Sequence, residues 1–136
     1  MSAKVLDSWA LIAFFEDEPA AGAVEELLAR ASQDKQSLYL SVVNWAEVYY
    51  NTMREVSQQA AEARVAEIAA LPIEIIGVSE DLKIARQAAI YKATHKISYA
   101  DAFTAALAKE KKAELVTGDP EFKPLEKEIK INWLKH

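Results

Sequence analysis

The sequence has no cysteine and only 3 glycines and 4 prolines among its 136 residues. The absence of cysteine excludes disulfide bonds. Because the 2 histidines are not clustered, a structural zinc site is excluded as well. Sparse glycine and proline, together with 51% hydrophobic and 27% charged residues, indicate a helix-rich globular protein rather than a disordered one.

Long hydrophobic runs are also absent. No apolar stretch approaches the ~20 residues that cross a bilayer, and the N-terminus lacks the basic and apolar regions of a signal peptide. We therefore expect a cytoplasmic protein with no membrane contact. The length predicts a single domain, residues 1–136, with one hydrophobic core.

The chain has no excess of positive charge, since its formal net charge is −5. Proteins that coat nucleic acids nonspecifically neutralise phosphates with lysine and arginine, so the charge argues against that class. The argument does not extend to a metal-dependent enzyme, because bound divalent cations can meet a phosphate in place of protein charge.

Short apolar or β-branched segments alternate with segments of helical periodicity. Strands are predicted at 4–6, 37–40, 73–78, 115–117 and 129–132, the last as an edge strand. Helices are predicted at 20–31, from 42 after a cap at Ser41, at 57–71, from a cap at Ser79 to 93, and at 98–111, the last buried centrally. This order predicts a three-layer α/β/α fold around a mainly parallel sheet of four to five strands.

Four carboxylates lie in apolar surroundings. Asp7 and Asp119 each follow a predicted strand, Asp101 lies in the first turn of the last long helix, and Glu47 lies within the helix after the second strand. Burying an unpaired carboxylate is costly, so a cation or a crevice is needed at such positions. Ligands of parallel sheets bind beyond the carboxyl ends of the strands, where these residues are expected.

Each carboxylate also has a simpler interpretation. These are helix capping for Asp7, an ion pair with Arg54 or a neighbouring helix for Glu47, a capping box with Ser98 for Asp101, and a turn or helix cap for Asp119. All four together at corresponding strand ends favour a metal site. Oxygen ligands select hard ions such as Mg²⁺ or Mn²⁺, and two such ions can promote phosphodiester hydrolysis without a protein nucleophile.

The residues around the carboxylates resemble a known family in order and spacing. The matching segments are Val5-Leu6-Asp7-Ser8, Asn44-Trp45-Ala46-Glu47, Tyr99-Ala100-Asp101-Ala102 and Val116-Thr117-Gly118-Asp119. Together they are similar to the PIN-domain ribonucleases, specifically the VapC-type toxins of prokaryotic toxin-antitoxin pairs. The resemblance covers essentially the whole chain.

The resemblance implies an endoribonuclease dependent on Mg²⁺ or Mn²⁺ that hydrolyses RNA, is usually a homodimer and is silenced by a cognate antitoxin. It implies that Asp7 and Asp101 are the principal metal ligands and catalytic residues, completed by Glu47 and Asp119. Ser8 and Thr117 match supporting hydroxyl positions. One departure is Trp9, because the family often has a hydroxyl two residues after the first aspartate.

Two other classes compete with a nuclease. A catalytically silent module could keep the acidic cleft for a metal ion or for the basic segment of a partner protein. An aspartate-based phosphotransfer protein fits less well. A phosphatase of the haloacid-dehalogenase type needs a second aspartate where Trp9 stands, and a receiver domain needs a lone aspartate where the third strand is followed by Gly77-Val78-Ser79.

Overall fold

The computed structural model describes residues 2–135, which form a five-stranded sheet with helices on both faces. The strands are β1 (Ser2–Leu6), β2 (Gln36–Ser41), β3 (Glu74–Ile76), β4 (Glu114–Thr117) and β5 (Ile131–Trp133). The helices are α1 (Ser8–Phe15), α2 (Ala21–Ser32), α3 (Val42–Glu55), α4 (Gln58–Ala69), α5 (Lys83–Thr94) and α6 (Tyr99–Glu110), followed by a 3₁₀ helix at Pro120–Leu125. The predicted α/β/α fold is confirmed.

The strand order is β3-β2-β1-β4-β5, and every neighbouring pair is parallel. Leu6 of β1 pairs with Leu40 of β2 and with Val116 of β4, so these three strands end at one level. The chain builds outward from β1 in one direction and then crosses to β4 on the other side. The edge between β1 and β4 is therefore the switch in strand order where ligands of parallel sheets bind.

Alternate strand residues supply the two halves of the core. Val5 and Leu115 pack with α5, α6 and the 3₁₀ helix, whereas Leu6 and Val116 pack with α1, α2, α4 and the inner face of α3. Because successive side chains of a strand point to opposite faces, two adjacent apolar residues cover both sides of the sheet. Helix α6 is buried through most of its length, as its alanine-rich sequence predicts.

The caps at Ser41 and Ser98 are confirmed, whereas the start of α5 was predicted wrongly. Ser79 does not cap a helix, because its hydroxyl donates to Asp81 instead. Leu82 takes a left-handed backbone conformation with φ 65°, so the helix begins only at Lys83. Strand β3 is shorter than predicted, and β5 is shifted toward the C-terminus. No described helix combines the length and apolarity needed to cross a membrane.

Candidate functional site

Asp7 lies at the switch in strand order, directly after β1, and is 1% exposed. It caps α1, since its Oδ1 accepts the Ala10 N–H at 2.9 Å. Its Oδ2 accepts the hydroxyl of Thr117, the last residue of β4, at 2.5 Å. Asp7 therefore caps α1, as its simpler interpretation predicts, and its other oxygen is held by Thr117 at the end of β4.

The pKa of Asp7 is raised to about 7. Burial is the largest cause, and the hydrogen bonds from Thr117 and Ala10 only partly offset it. The negative charges of Asp119 and Glu47 raise the pKa of Asp7 further.

Asp101 lies in the first turn of α6 and is 6% exposed. Its N–H donates to the Ser98 hydroxyl at 3.1 Å, as in half of a capping box. The other half is absent, because the Ser98 N–H donates to Glu121 Oε1 at 2.8 Å. Among the described residues, the Ser98 side chain is the hydrogen-bond partner of the Asp101 carboxylate, and this bond lowers the pKa of Asp101 only slightly against the effect of burial.

The pKa of Asp101 is raised to about 8. Burial is again the largest cause, followed by the negative charges of Asp119, Glu121 and Asp7. For neither Asp101 nor Asp7 does a described cation act to lower the pKa. A buried carboxylate without a cation is the electrostatic setting in which a bound metal ion gains most.

Asp119 caps the 3₁₀ helix and joins Asp101. Its N–H donates to Thr117 Oγ1 at 2.9 Å, and its Oδ1 accepts the Glu121 N–H at 2.9 Å. One carboxylate oxygen each from Asp101, Asp119 and Glu121 lie within 4.8 Å of one another. The cap predicted for Asp119 therefore places it within the acidic cluster.

Glu121 is a member of this cluster that the sequence analysis missed. It is exposed and lies in the segment Asp119-Pro120-Glu121-Phe122-Lys123, where charged residues alternate with apolar ones, so it lacks the apolar setting that marked the other carboxylates. The signal that could have found it is its position two residues after Asp119, in the same turn.

Glu47 lies half-buried on α3, and both donors reach its Oε1. The Ser8 hydroxyl donates at 2.9 Å and the Asn44 side-chain amide at 2.8 Å. The alternative ion pair with Arg54 does not form, since that guanidinium lies over the ring of Tyr50. Ser8 thus makes a hydroxyl contact in this loop despite the departure at Trp9.

Trp9 has a structural role at this edge. A Cβ placed on Gly118 would collide with the indole ring of Trp9. Only glycine allows this approach, which brings the start of α1 against the segment between Thr117 and Asp119. Trp9, which stands where the family often has a hydroxyl, therefore packs the start of α1 against the segment that leads to Asp119.

The donor set fits a hard divalent cation. Asp101, Asp119 and Glu121 form a close group of oxygen ligands, and Asp7 and Glu47 lie near enough for their charges to be felt. Carboxylate oxygens without sulfur or imidazole are typical of Mg²⁺ and Mn²⁺ sites. The structure therefore groups Asp101 and Asp119 with Glu121, and it leaves Asp7 and Glu47 outside this close group, where only their charges act on it.

Comparison with known proteins places the fold. The profile of the PIN domain family matches residues 4–128. No curated protein matches the sequence. A solved structure of DNA-bound VapBC from Salmonella typhimurium is similar, with TM-score 0.75 and 16% identity over 97% of this chain and 98% of that chain.

Two further structures are similar over nearly the whole chain. VapBC2 from Rickettsia felis, bound to a promoter DNA fragment, has TM-score 0.73 and 18% identity over 98% of this chain and 99% of that chain. VapC20 from Mycobacterium tuberculosis, a toxin that cleaves the sarcin-ricin loop, has TM-score 0.67 and 20% identity over 90% of this chain and 94% of that chain. At these identities the likeness establishes the fold.

Proposed function

The chain belongs to the PIN domain family, and from this membership we propose that it is a metal-dependent endoribonuclease of the VapC toxin type. The observation that carries the proposal is Asp101. It is a buried carboxylate whose pKa is raised to about 8 despite a hydrogen bond with the Ser98 side chain, and it stands beside Asp119 and Glu121. A carboxylate in this setting needs a cation, and no described residue places one next to it.

We propose that Asp7, Glu47, Asp101 and Asp119 hold Mg²⁺ or Mn²⁺, with Glu121 as an additional oxygen donor. When bound, such an ion supplies positive charge to a phosphodiester and lowers the pKa of water. The protein's own contribution is to orient the ligands. Thr117 and Ala10 fix both oxygens of Asp7, so its carboxylate is aimed before any ion arrives.

In this proposal the hydroxyl groups of Thr117 and Ser8 do not contact the phosphodiester, but hold the carboxylates that bind the metal ion. Thr117 holds Asp7 and accepts the Asp119 N–H, so one side chain sets the positions of two ligands. Ser8 holds Glu47 in the same way from the start of α1. The Ser98 N–H holds Glu121 against the N-terminus of α6, beside Asp101.

The proposed substrate is RNA, and the proposed partner is a cognate antitoxin. Similar structures include VapBC assemblies and a toxin-antitoxin complex from Klebsiella pneumoniae. The cleavage of the sarcin-ricin loop by VapC20 supports RNA as the substrate class. We further propose that residues 1–136 form a single domain, that the protein is a homodimer and that it acts in the cytoplasm.

The proposal is tested by cleavage of a mixed RNA pool with Mg²⁺, Mn²⁺ or EDTA, using the wild type and Asp101→Asn. We expect cleavage only with metal, and a loss of at least about 100-fold in the variant, because removing a metal-site charge removes electrostatic stabilisation of the transition state. Glu114→Gln is the matched control, since it neutralises a carboxylate far from the site that is paired with Lys4. It should cleave like the wild type.

Two results would contradict the proposal. Full cleavage by Asp101→Asn would remove the acidic cluster from the reaction. A folded wild type that binds Mn²⁺ and leaves a defined set of rRNA, tRNA and mRNA transcripts intact would favour a silent binding module.

A further inference from the structure

We propose that Asn44 and Thr104 are positioning residues that hold the Glu47 carboxylate toward the carboxyl ends of β1 and β4, and thereby raise the affinity of the protein for the metal ion. The inference rests on the proposed function and extends it to two side chains outside the acidic cluster. The observation that carries it is a hydrogen-bonded chain that leads from α6 through Asn44 of α3 to Glu47.

The contacts are short and buried. Thr104 Oγ1 donates to Asn44 Oδ1 at 2.6 Å, and Asn44 Nδ2 donates to Glu47 Oε1 at 2.8 Å. Asn44 and Thr104 are both 0% exposed. Burying an amide and a hydroxyl is unfavourable unless each is satisfied, so an apolar pair would fill the same space at lower cost.

Glu47 fixes the direction of the hydrogen-bonded chain. An ionised carboxylate accepts hydrogen bonds and cannot donate them. Asn44 must therefore turn its NH₂ group toward the Glu47 carboxylate and its carbonyl toward Thr104. The Thr104 hydroxyl then supplies its single proton to that carbonyl. The Ala100 carbonyl lies 3.0 Å from the same hydroxyl and is a more distant acceptor that competes for this proton.

The spacing on each helix connects this bond to the site. Asn44 and Glu47 are three residues apart on α3, and Asp101 and Thr104 are three residues apart on α6, so each pair shares one helix face. A bond between Asn44 and Thr104 therefore fixes the carboxylates of Glu47 and Asp101 relative to each other. Helices α3 and α6 pack into different halves of the core, and this bond joins them directly.

A purely structural role for the pair makes a different prediction. If Thr104 only joined two helices, its removal would lower stability and would affect metal binding independently of Glu47. If it positions Glu47, its removal should have no further effect once the Glu47 charge is gone. A double-mutant cycle separates these cases.

The experiment measures the Mn²⁺ dissociation constant by calorimetry, together with the melting temperature of each metal-free variant. Thr104→Val removes the hydroxyl at nearly constant shape and should weaken Mn²⁺ binding about tenfold, while Thr104→Ser should restore it. Thr52→Val is the matched control, because the Thr52 hydroxyl donates to the Val48 carbonyl on α3 and takes no part in the hydrogen bonds from Thr104 to Glu47. In a Glu47→Gln background, Thr104→Val should cause no further loss.

Wild-type affinity in Thr104→Val, or a full additional loss in the Glu47→Gln background, would overturn the proposal. A crystal structure of metal-free Thr104→Val gives a test that does not need the metal. We expect Glu47 to leave Asn44 and Ser8, and an unmoved Glu47 would overturn the positioning role. A wild type that binds no Mn²⁺ would instead refute the proposed function, and the crystal structure would still decide the role of the pair.

Discussion

Acidic residues lie at both ends of the paired strands β1 and β4, but in the part of the chain that the structure describes only those at the amino end have lysine partners. At the amino end, Glu114 accepts from Lys4 at 2.6 Å and lies 3.4 Å from Lys130. Burial acts to raise the pKa of Glu114, but the hydrogen bond and charge of Lys4, with help from Lys130, outweigh it and lower the pKa.

At the carboxyl end the residues that the structure describes supply hydroxyl and amide donors but no cation. Burial therefore dominates, and the pKa values of Asp7 and Asp101 rise to about 7 and about 8. The same sheet can thus neutralise a carboxylate with lysine where the role is structural. The comparison teaches that the missing positive charge at the other end is specific to that end, which supports an exchangeable cation there.

The largest test of this comparison is the response to metal. At pH 8, Mn²⁺ at 100 times its dissociation constant should stabilise the wild type by about 2.7 kcal/mol, since an ion that binds only the folded state shifts the folding equilibrium. Asp101→Asn should lose most of this gain, and Glu114→Gln should keep it. Calorimetric melting with and without Mn²⁺ measures both. Equal stabilisation of the wild type and Asp101→Asn would break the comparison.

A second, smaller test is the pH dependence of the metal-free protein. The folded pKa values of Asp7 and Asp101 lie above the ordinary value of 3.8, so the folded state binds more protons than the unfolded state between about pH 4 and pH 8. Stability therefore falls as the pH rises through that range and levels off above it. Asp101→Asn should flatten the fall and be more stable than the wild type at pH 8.

Glu114 supplies the contrast within the same experiment. Its pKa is lowered, so its contribution to stability is present above the ordinary value of 4.5 and is lost as the pH falls through the folded pKa. Glu114→Gln should change the acid side of the profile and leave the slope between pH 5 and pH 8 unaltered. Urea denaturation in EDTA from pH 3 to pH 9 gives the full profile. If the stability of Asp101→Asn changes with pH as steeply as that of the wild type, then the pKa of Asp101 is not raised in the folded protein.

The carboxyl end could be predicted from the sequence because of how parallel strands are built. Asp7 and Asp119 each follow a strand, and strands of a parallel sheet end at a common edge, so their proximity follows from topology alone. Asp101 could be placed there because it opens the helix that leads into β4. These predictions needed no knowledge of side-chain contacts.

The remaining features depend on contacts that no local pattern encodes. Lys4 and Glu114 meet because the register of β1 and β4 places them opposite each other, 110 residues apart in the chain. Glu121 joins the cluster because Ser98 turns its N–H toward it and away from Asp101. A buried asparagine such as Asn44 cannot be distinguished in sequence from an exposed one in the first turn of a helix.

The smallest test compares the two lysines that neutralise Glu114. Lys4 is 17% exposed and Lys130 is 82% exposed, so solvent screens the second ion pair far more than the first. Lys4→Met should cost about 1 kcal/mol because it leaves a partly buried carboxylate short of its main partner. Lys130→Ala should cost less than about 0.5 kcal/mol, as exposed ion pairs usually do.

Urea denaturation at pH 7 measures both costs, with Lys127→Ala as an exposed control that makes no ion pair with a described residue. If Lys130→Ala costs as much as Lys4→Met, then Glu114 is stabilised by diffuse positive charge rather than by one close partner. Glu114 would then differ less from Asp7 and Asp101 in its electrostatic environment, because diffuse positive charge could also reach those two carboxylates. A cost confined to Lys4 would mean that a buried carboxylate in this protein needs a cation in direct contact. That result would support a metal ion from solution as the cation that contacts Asp7 and Asp101.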